Sequence, residues 1–247
     1  MIKIGKMLLG LSCGAALIVP GYGTPIINGS QLNISGDATV GAAFLNWSCD
    51  QPGDTACPAT GKGDFAVGAS TGTFAQYNST FGLETDINDA TQPLNTPLAL
   101  MDFITFDLNN NETIELTFIP LGTDTASTTC AGLTHCTPEN AALVTAANPL
   151  GLSAFNLDQN GSGTSASFGI DGTLFDIGGG TASISGIYTA QFAGLDPQQV
   201  LALLGPSGVE STYSANLVLT VTPEPATIAL LGAGLAALGL FRWRQKQ

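Results

Sequence analysis

The sequence predicts an all-β exported domain, an antiparallel β-sandwich or jelly roll, held between two apolar terminal segments. Three observations carry this. Short runs with apolar residues at every second position recur through the chain, the pattern of strands with one buried face. Glycine is abundant, at 31 of 247 residues, and with Ser, Thr and Asn it punctuates those runs with turn chemistry. The chain is 44% apolar with scattered aromatics, enough for a packed core.

Lys3 and Lys6 precede the apolar run from Met7 to Val19, and Gly21 and Gly23 follow. A basic start, a short apolar stretch and small residues are the order of a secretory signal peptide, expected over residues 1–23. The exported body is then 24–222, a single domain by length. Its first strand or strands fall within Gln31 to Phe44, where Leu32, Ile34, Ala38, Val40 and Ala42 alternate. Trp47 to Asp64 is a Cys/Pro/Gly loop. Short strands are expected at Gly72 to Tyr77 and Thr80 to Leu83, then a polar loop from Asp86 to Thr96. Leu98 to Leu108 is apolar enough for a strand buried on both faces. Thr113 to Ile119 alternates, with Ile114, Leu116 and Phe118 inward, and Asn109 to Asn111 makes the turn between these two strands.

Thr123 to Leu150 is irregular, with a short helix expected over Pro138 to Thr145, and Leu152 to Leu157 forms a further strand. Asp171-Gly172 is a two-residue hairpin signal between strands Ser165–Ile170 and Thr173–Ile177, because type I′ turns need positive φ. Gly178 to Gly180 reads as a break. Ser183 to Phe192 alternates with Ile184, Tyr188 and Phe192 on one face. Asp196-Pro197 opens a short helix that Gly205-Pro206 stops. Ser211 to Thr222 is the clearest strand, with Tyr213, Ala215, Leu217, Leu219 and Val221 on one side.

Charge limits the functions open to this body. Between Thr24 and Thr222 stand eighteen acidic residues and one cation, Lys62. No Arg is present there, which argues against nucleic acid and against clamps for carboxylate or phosphate. So acidic a surface favours solubility and loose capture of divalent cations. Four cysteines remain after signal removal: Cys49, Cys57, Cys130 and Cys136. In an exported chain these predict two disulfides. Three pairings exist, and Cys49–Cys57 with Cys130–Cys136 is favoured because each pair brackets a short turn-rich loop. Zinc spacings are shorter than those seen here.

His135 is the single histidine, and no Gly-x-Ser-x-Gly elbow accompanies it, so a surface role is expected and no enzymatic activity. No spacing among the acids singles out a glycosidase pair. Asp158, Asn160 and Ser162 place oxygens at the first, third and fifth positions of a calcium-loop opening, followed by Gly163, but Gly169 stands where a bidentate Glu would close it. A polar turn between strands is the plainer reading. Asp86, Asn88 and Asp89 form a second such cluster. Six Asn-x-Ser/Thr sequons, at Asn28, Asn33, Asn46, Asn78, Asn111 and Asn160, are what a chain this rich in Asn, Ser and Thr yields by chance.

After the last strand come Pro223-Glu224-Pro225, an uncharged run from Ala226 to Phe241, and Arg242-Trp243-Arg244-Gln245-Lys246-Gln247. The prolines end the strand. The run spans roughly 24 Å as a helix, short against a hydrocarbon core of ~30 Å, and Trp243 with the snorkelling cations extends its usable length. The positive-inside rule keeps Arg242, Arg244 and Lys246 in the cytoplasm and the body outside. This tail resembles the PEP-CTERM sorting signal of Gram-negative bacteria in its tripeptide, apolar helix and basic end. The resemblance implies recognition by an exosortase, a membrane-embedded cysteine transpeptidase thought to cleave near the tripeptide. It implies an inner-membrane-anchored precursor facing the periplasm, then a cell-surface or extracellular product linked to exopolysaccharide or biofilm matrix. A structural or adhesive role follows as the expectation, with a secreted carbohydrate- or calcium-binding domain as the alternative and a hydrolase behind both.

Overall fold

A computed structural model describes residues 26–41, 44–50, 61–88, 92–108, 112–205 and 207–221. The expected signal peptide, Cys57, the Asn109–Asn111 turn and the tail from Pro223 onward lie outside them.

Among the described residues the strands are β1 (Gln31–Val40), β2 (Phe44–Trp47), β3 (Lys62–Val67), β4 (Phe81–Thr85), β5 (Ile87–Asn88), β6 (Leu100–Phe106), β7 (Glu112–Phe118), β8 (Ala126–Ser127), β9 (His135–Pro138), β10 (Asn156–Asn160), β11 (Gly163–Asp176), β12 (Thr181–Ala193) and β13 (Val209–Thr220). One helix, α1 (Pro197–Leu203), joins β12 to β13, and 3₁₀ turns lie at Gly72–Tyr77 and Ala141–Leu143. Eight strands run β1-β3-β4-β6-β7-β11-β12-β13, and β13 pairs back along the whole of β1. All these pairings are antiparallel. The sheet therefore closes into a barrel, and the expected sandwich is corrected: one sheet curls on itself instead of two sheets facing each other. Alternation along a strand fits either architecture, because both bury one face of every strand.

Two long strands each serve two partners along one edge. The first half of β11 pairs with β10 and its second half with β7, with a register shift at Asp171/Gly172. β1 pairs with β3 near Ile34 and with β2 from Ala38 to Val40. Thus β10, β9 and β8 extend outward from β11, and β2 and β5 extend from β1.

The interior is filled by side chains, as an eight-stranded barrel allows. Leu32, Phe65, Phe106, Ile114, Leu174, Ile184 and Leu217 are buried in it, and Phe74 and Tyr77 of the first 3₁₀ turn plug one end, Tyr77 stacking on Phe106 at 4.0 Å. Trp47 covers the other end, its ring 4.6 Å from Tyr213 and 5.3 Å from Tyr188. Gly36 makes room for this layer, since a Cβ there would come within 2.8 Å of the Tyr213 ring. Most outward positions on β1 and β13 are polar: Asn33, Ser35, Asp37 and Thr39 on β1, and Thr212, Ser214, Asn216 and Thr220 on β13, with Val218 between them and Ile187 of β12 the apolar exceptions. That is a wall facing water, not the apolar girdle of a membrane barrel. Among the described residues no helix is long and apolar enough to cross a membrane.

Several local expectations are corrected. Gly72 to Tyr77 is a 3₁₀ turn, with Phe74 and Tyr77 buried three residues apart on one side. Asp171-Gly172 does not turn, because β11 runs straight through it, and the hairpin bend is Gly178–Gly180, with Gly179 at φ +86°. The helix expected over Pro138–Thr145 reduces to the turn at Ala141–Leu143. Leu98–Leu108 is buried on both faces only near Phe103 and Ile104, and Met101 is exposed. Helix α1 appears as expected, with the Asp196–Gln199 capping box and Pro197 at its first position.

The two ends of the barrel differ in charge. At the Trp47 end lie the described residues of the connections after β1, β4, β7 and β12, which carry six acids: Asp50, Asp86, Asp124, Glu139, Asp158 and Asp196. At the Tyr77 end lie 26–30, 68–80, 107–108, 177–180 and Val221, and the one charge among these described residues is Asp107; Glu112 and Asp176 stand buried at the adjoining strand ends.

Candidate functional site

Long connections at the acid-rich end bring together three residues that sequence spacing separates. β9 and β10 pair so that His135 stands opposite Asp158 and Cys136 opposite Leu157. The Cys130–Cys136 disulfide closes the loop before β9 and anchors the residue next to His135. Asp124 lies just ahead of β8. Its backbone N–H donates to Thr137 Oγ1 at 2.9 Å, and Thr137 Oγ1 in turn donates to Asn156 Oδ1 at 2.8 Å. Thr137 is fully buried, so this bridge sets Asp124 against the β9–β10 ladder. Gly122 is part of it: a Cβ there would stand 2.7 Å from both Asn156 Oδ1 and Thr137 Oγ1.

His135 Nδ1 lies 2.6 Å from Asp158 Oδ1. One donor atom each from Asp124, His135 and Asp158 falls within 4.8 Å of the others. The ring of His135 is exposed, and the hydrogen bond to Asp158 raises its pKa, favouring imidazolium. Burial and then the charge of Asp158 raise the pKa of Asp124, while His135 opposes them. Asp124 Oδ2 is buried without a hydrogen-bond partner. One imidazole nitrogen and two carboxylate oxygens, open on one side, form a donor set suited to zinc or manganese. Calcium, which takes six to eight oxygens, suits it less.

The expected calcium loop is dispersed. Asp158 and Asn160 lie on β10 and Ser162 in the bend to β11. Asn160 Nδ2 donates to Ser165 Oγ at 2.9 Å, while Asp158 turns to His135. Asp124 carried no signal in the sequence, because its partnership depends on how β8, β9 and β10 align. Cys130–Cys136 is present as expected; Cys49 is also disulfide-bonded, and its expected partner Cys57 lies outside the described residues. Of the second acidic cluster, Asp86 Oδ1 accepts from the Trp47 backbone N–H at 2.9 Å, which pins β2 over the barrel mouth. An open groove of about 490 Å³, lined by none of Asp124, His135 and Asp158, runs between α1 and the Pro138–Ala141 segment.

Beneath Trp47 lies a different kind of group. Glu84 is fully buried on β4, and Tyr188 and Tyr213 each donate a hydroxyl hydrogen bond to its carboxyl oxygens. Burial pushes its pKa up to about 7 against those two hydrogen bonds. The two tyrosines are raised well above 10, by burial and then by the Glu84 charge.

Compared with known families, residues 221–246 match the PEP-CTERM protein-sorting motif. No curated protein and no solved structure matches the chain. The match begins at Val221, one residue past the end of β13.

Proposed function

We propose, from the premise that its PEP-CTERM motif marks an exported protein sorted by an exosortase to the cell surface, that this chain is a structural or adhesive component of the extracellular surface. The observation that carries this reading is the junction: the motif follows directly on β13, the strand that closes the barrel, so cleavage near Pro223–Pro225 would release or transfer a finished domain. The packed interior supports action through the outer surface rather than as a carrier. Two apolar voids, beside Trp47 and beside Phe155, each have room for about 20 Å³, near the space of one water. On this reading the role is non-catalytic, and exopolysaccharide is the partner class we propose for the outer surface.

The test is the intact mass of protein recovered from native cells and their medium. A mass beginning near Thr24 and ending near Pro223–Pro225 is expected. A mass retaining Gln247 would mean a permanent anchor and would remove processing from the proposal.

A second reading has its own support, the convergence of Asp124, His135 and Asp158. On this reading the domain captures a divalent transition metal. Calorimetric titration of chelator-treated protein with zinc is expected to show one saturable site, weakened about tenfold or more by His135→Ala and by Asp158→Asn. No heat in the parent protein, or unchanged heat in both variants, would dismiss it.

A further inference from the structure

We propose that the charge-poor end of the barrel rests on the lipid bilayer entered by residues 226–241, with Ile27, Leu108 and Ile177 in its headgroup zone. This rests on the tail acting as a membrane segment before processing, and adds which face of the domain meets the lipid and through which side chains.

Covalent reach makes the first argument. β13 ends at Thr220, Val221 is the last described residue, and the uncharged run begins at Ala226. The four residues between them span at most ~14 Å fully extended. Headgroups occupy roughly 5–7 Å on each side of the hydrocarbon core. The end of the barrel from which the chain departs cannot stand far from that layer.

What this end presents is the second argument. Ile27 precedes β1, Leu108 follows β6 and Ile177 follows β11, so three separate connections each offer a large apolar side chain at the same end as Val221. They are 48%, 44% and 71% exposed. Neutral polar residues accompany them, Thr71 and Gln76, both exposed on one connection. Apolar tips among uncharged polar groups match the interface of a bilayer.

The charge distribution is the third. Lipid surfaces carry negative charge, and eighteen acids would oppose contact if spread evenly. Among the described connection residues they are not: six lie at the Trp47 end, and Asp107 alone at the Tyr77 end. Standing the Tyr77 end on the membrane points the acid-rich end, with the His135 cluster and the groove beside α1, away from it.

The experiment uses the full chain in vesicles of phosphatidylethanolamine and phosphatidylglycerol, with brominated acyl chains as quencher. Ile177→Trp reports on the proposed contact, and Gln198→Trp, exposed on α1, reports on the opposite end. Fluorescence beyond that of the parent chain is expected to fall by about half at position 177 and to hold at 198. Leu108→Trp, quenched in the same way, guards against a local effect of one variant. Flotation with the vesicles runs in parallel. If the chain floats and neither position 177 nor 108 is quenched, or if 198 is quenched equally, the orientation is wrong while the tail reading stands. If the full chain fails to float, the tail reading falls and the proposal falls with it.

Discussion

Glu84 is the residue on which the barrel's response to pH turns. Its carboxyl sits at the centre of the core, its pKa raised from 4.5 to about 7 by burial. A carboxyl with a raised folded-state pKa stabilises most when protonated in both states. Its contribution is whole below about pH 4.5 and declines as pH rises to about 7, by a total on the order of 3 kcal/mol. Thermal melts between about pH 5 and pH 8 should show the parent losing stability with rising pH, and Glu84→Gln, whose amide can still pair with both hydroxyls, flattening that slope. A slope unchanged by the substitution would place the effect elsewhere. Gly36 is a second sensitive position: Gly36→Ala would push a methyl into Tyr213 and should cost about 1–3 kcal/mol in chemical denaturation. Neither role was legible beforehand. In the sequence Glu84 is one acid among nineteen and Gly36 one glycine among 31, and only closure of the barrel places both against the same tyrosine ring.

At the scale of elements, what the sequence revealed followed from locality. Helix α1 was legible because Asp196 and Pro197 carry its start signal in two adjacent residues and Gly205-Pro206 its stop; the structure adds Gln199, which completes the capping box. Asp196→Ala should lose the capping box and about 1 kcal/mol, visible as a lower denaturation midpoint. β13 was legible because five alternating apolar residues meet no glycine. β11 was not, because Gly172 has two readings. It looked like a turn residue, yet its lack of a Cβ lets Glu115 of β7 come close, where a side chain would stand 2.6 Å from the carbonyl oxygen. A glycine needed for packing and one needed for bending are the same letter. The histidine site was hidden for a related reason: Asp124 and Asp158 are brought together by strand pairing and have no linear spacing to detect. Its frame is the small loop closed by Cys130–Cys136. Replacing both cysteines with serine should lower stability by about 2 kcal/mol and loosen His135, seen as broadened histidine resonances.

At the scale of the whole molecule, closure depends on the most distant pairing in the body, β1 with β13, which binds residues such as Gln31 and Val218. Fold class was legible because alternation declares strands. Sandwich against barrel was not, because that choice lies in which edges meet. A chain cut after Gly208 would leave β1 and β12 as unpaired edges and should aggregate, where the parent stays monodisperse in light scattering. Non-local pairing of this kind also makes folding slow. The β1–β13 seam has a further consequence for timing during secretion. A polypeptide crossing a membrane amino end first delivers β1 long before the strand it must join. For that interval the edge of β1 that β13 will cover is open to other strands. The seam can zip only when β13 has emerged, and by then the segment at 221–246 is itself at the membrane. Completion of the barrel and emergence of its sorting motif thus fall close together, so that the sorting step meets a domain whose last strand has only just arrived.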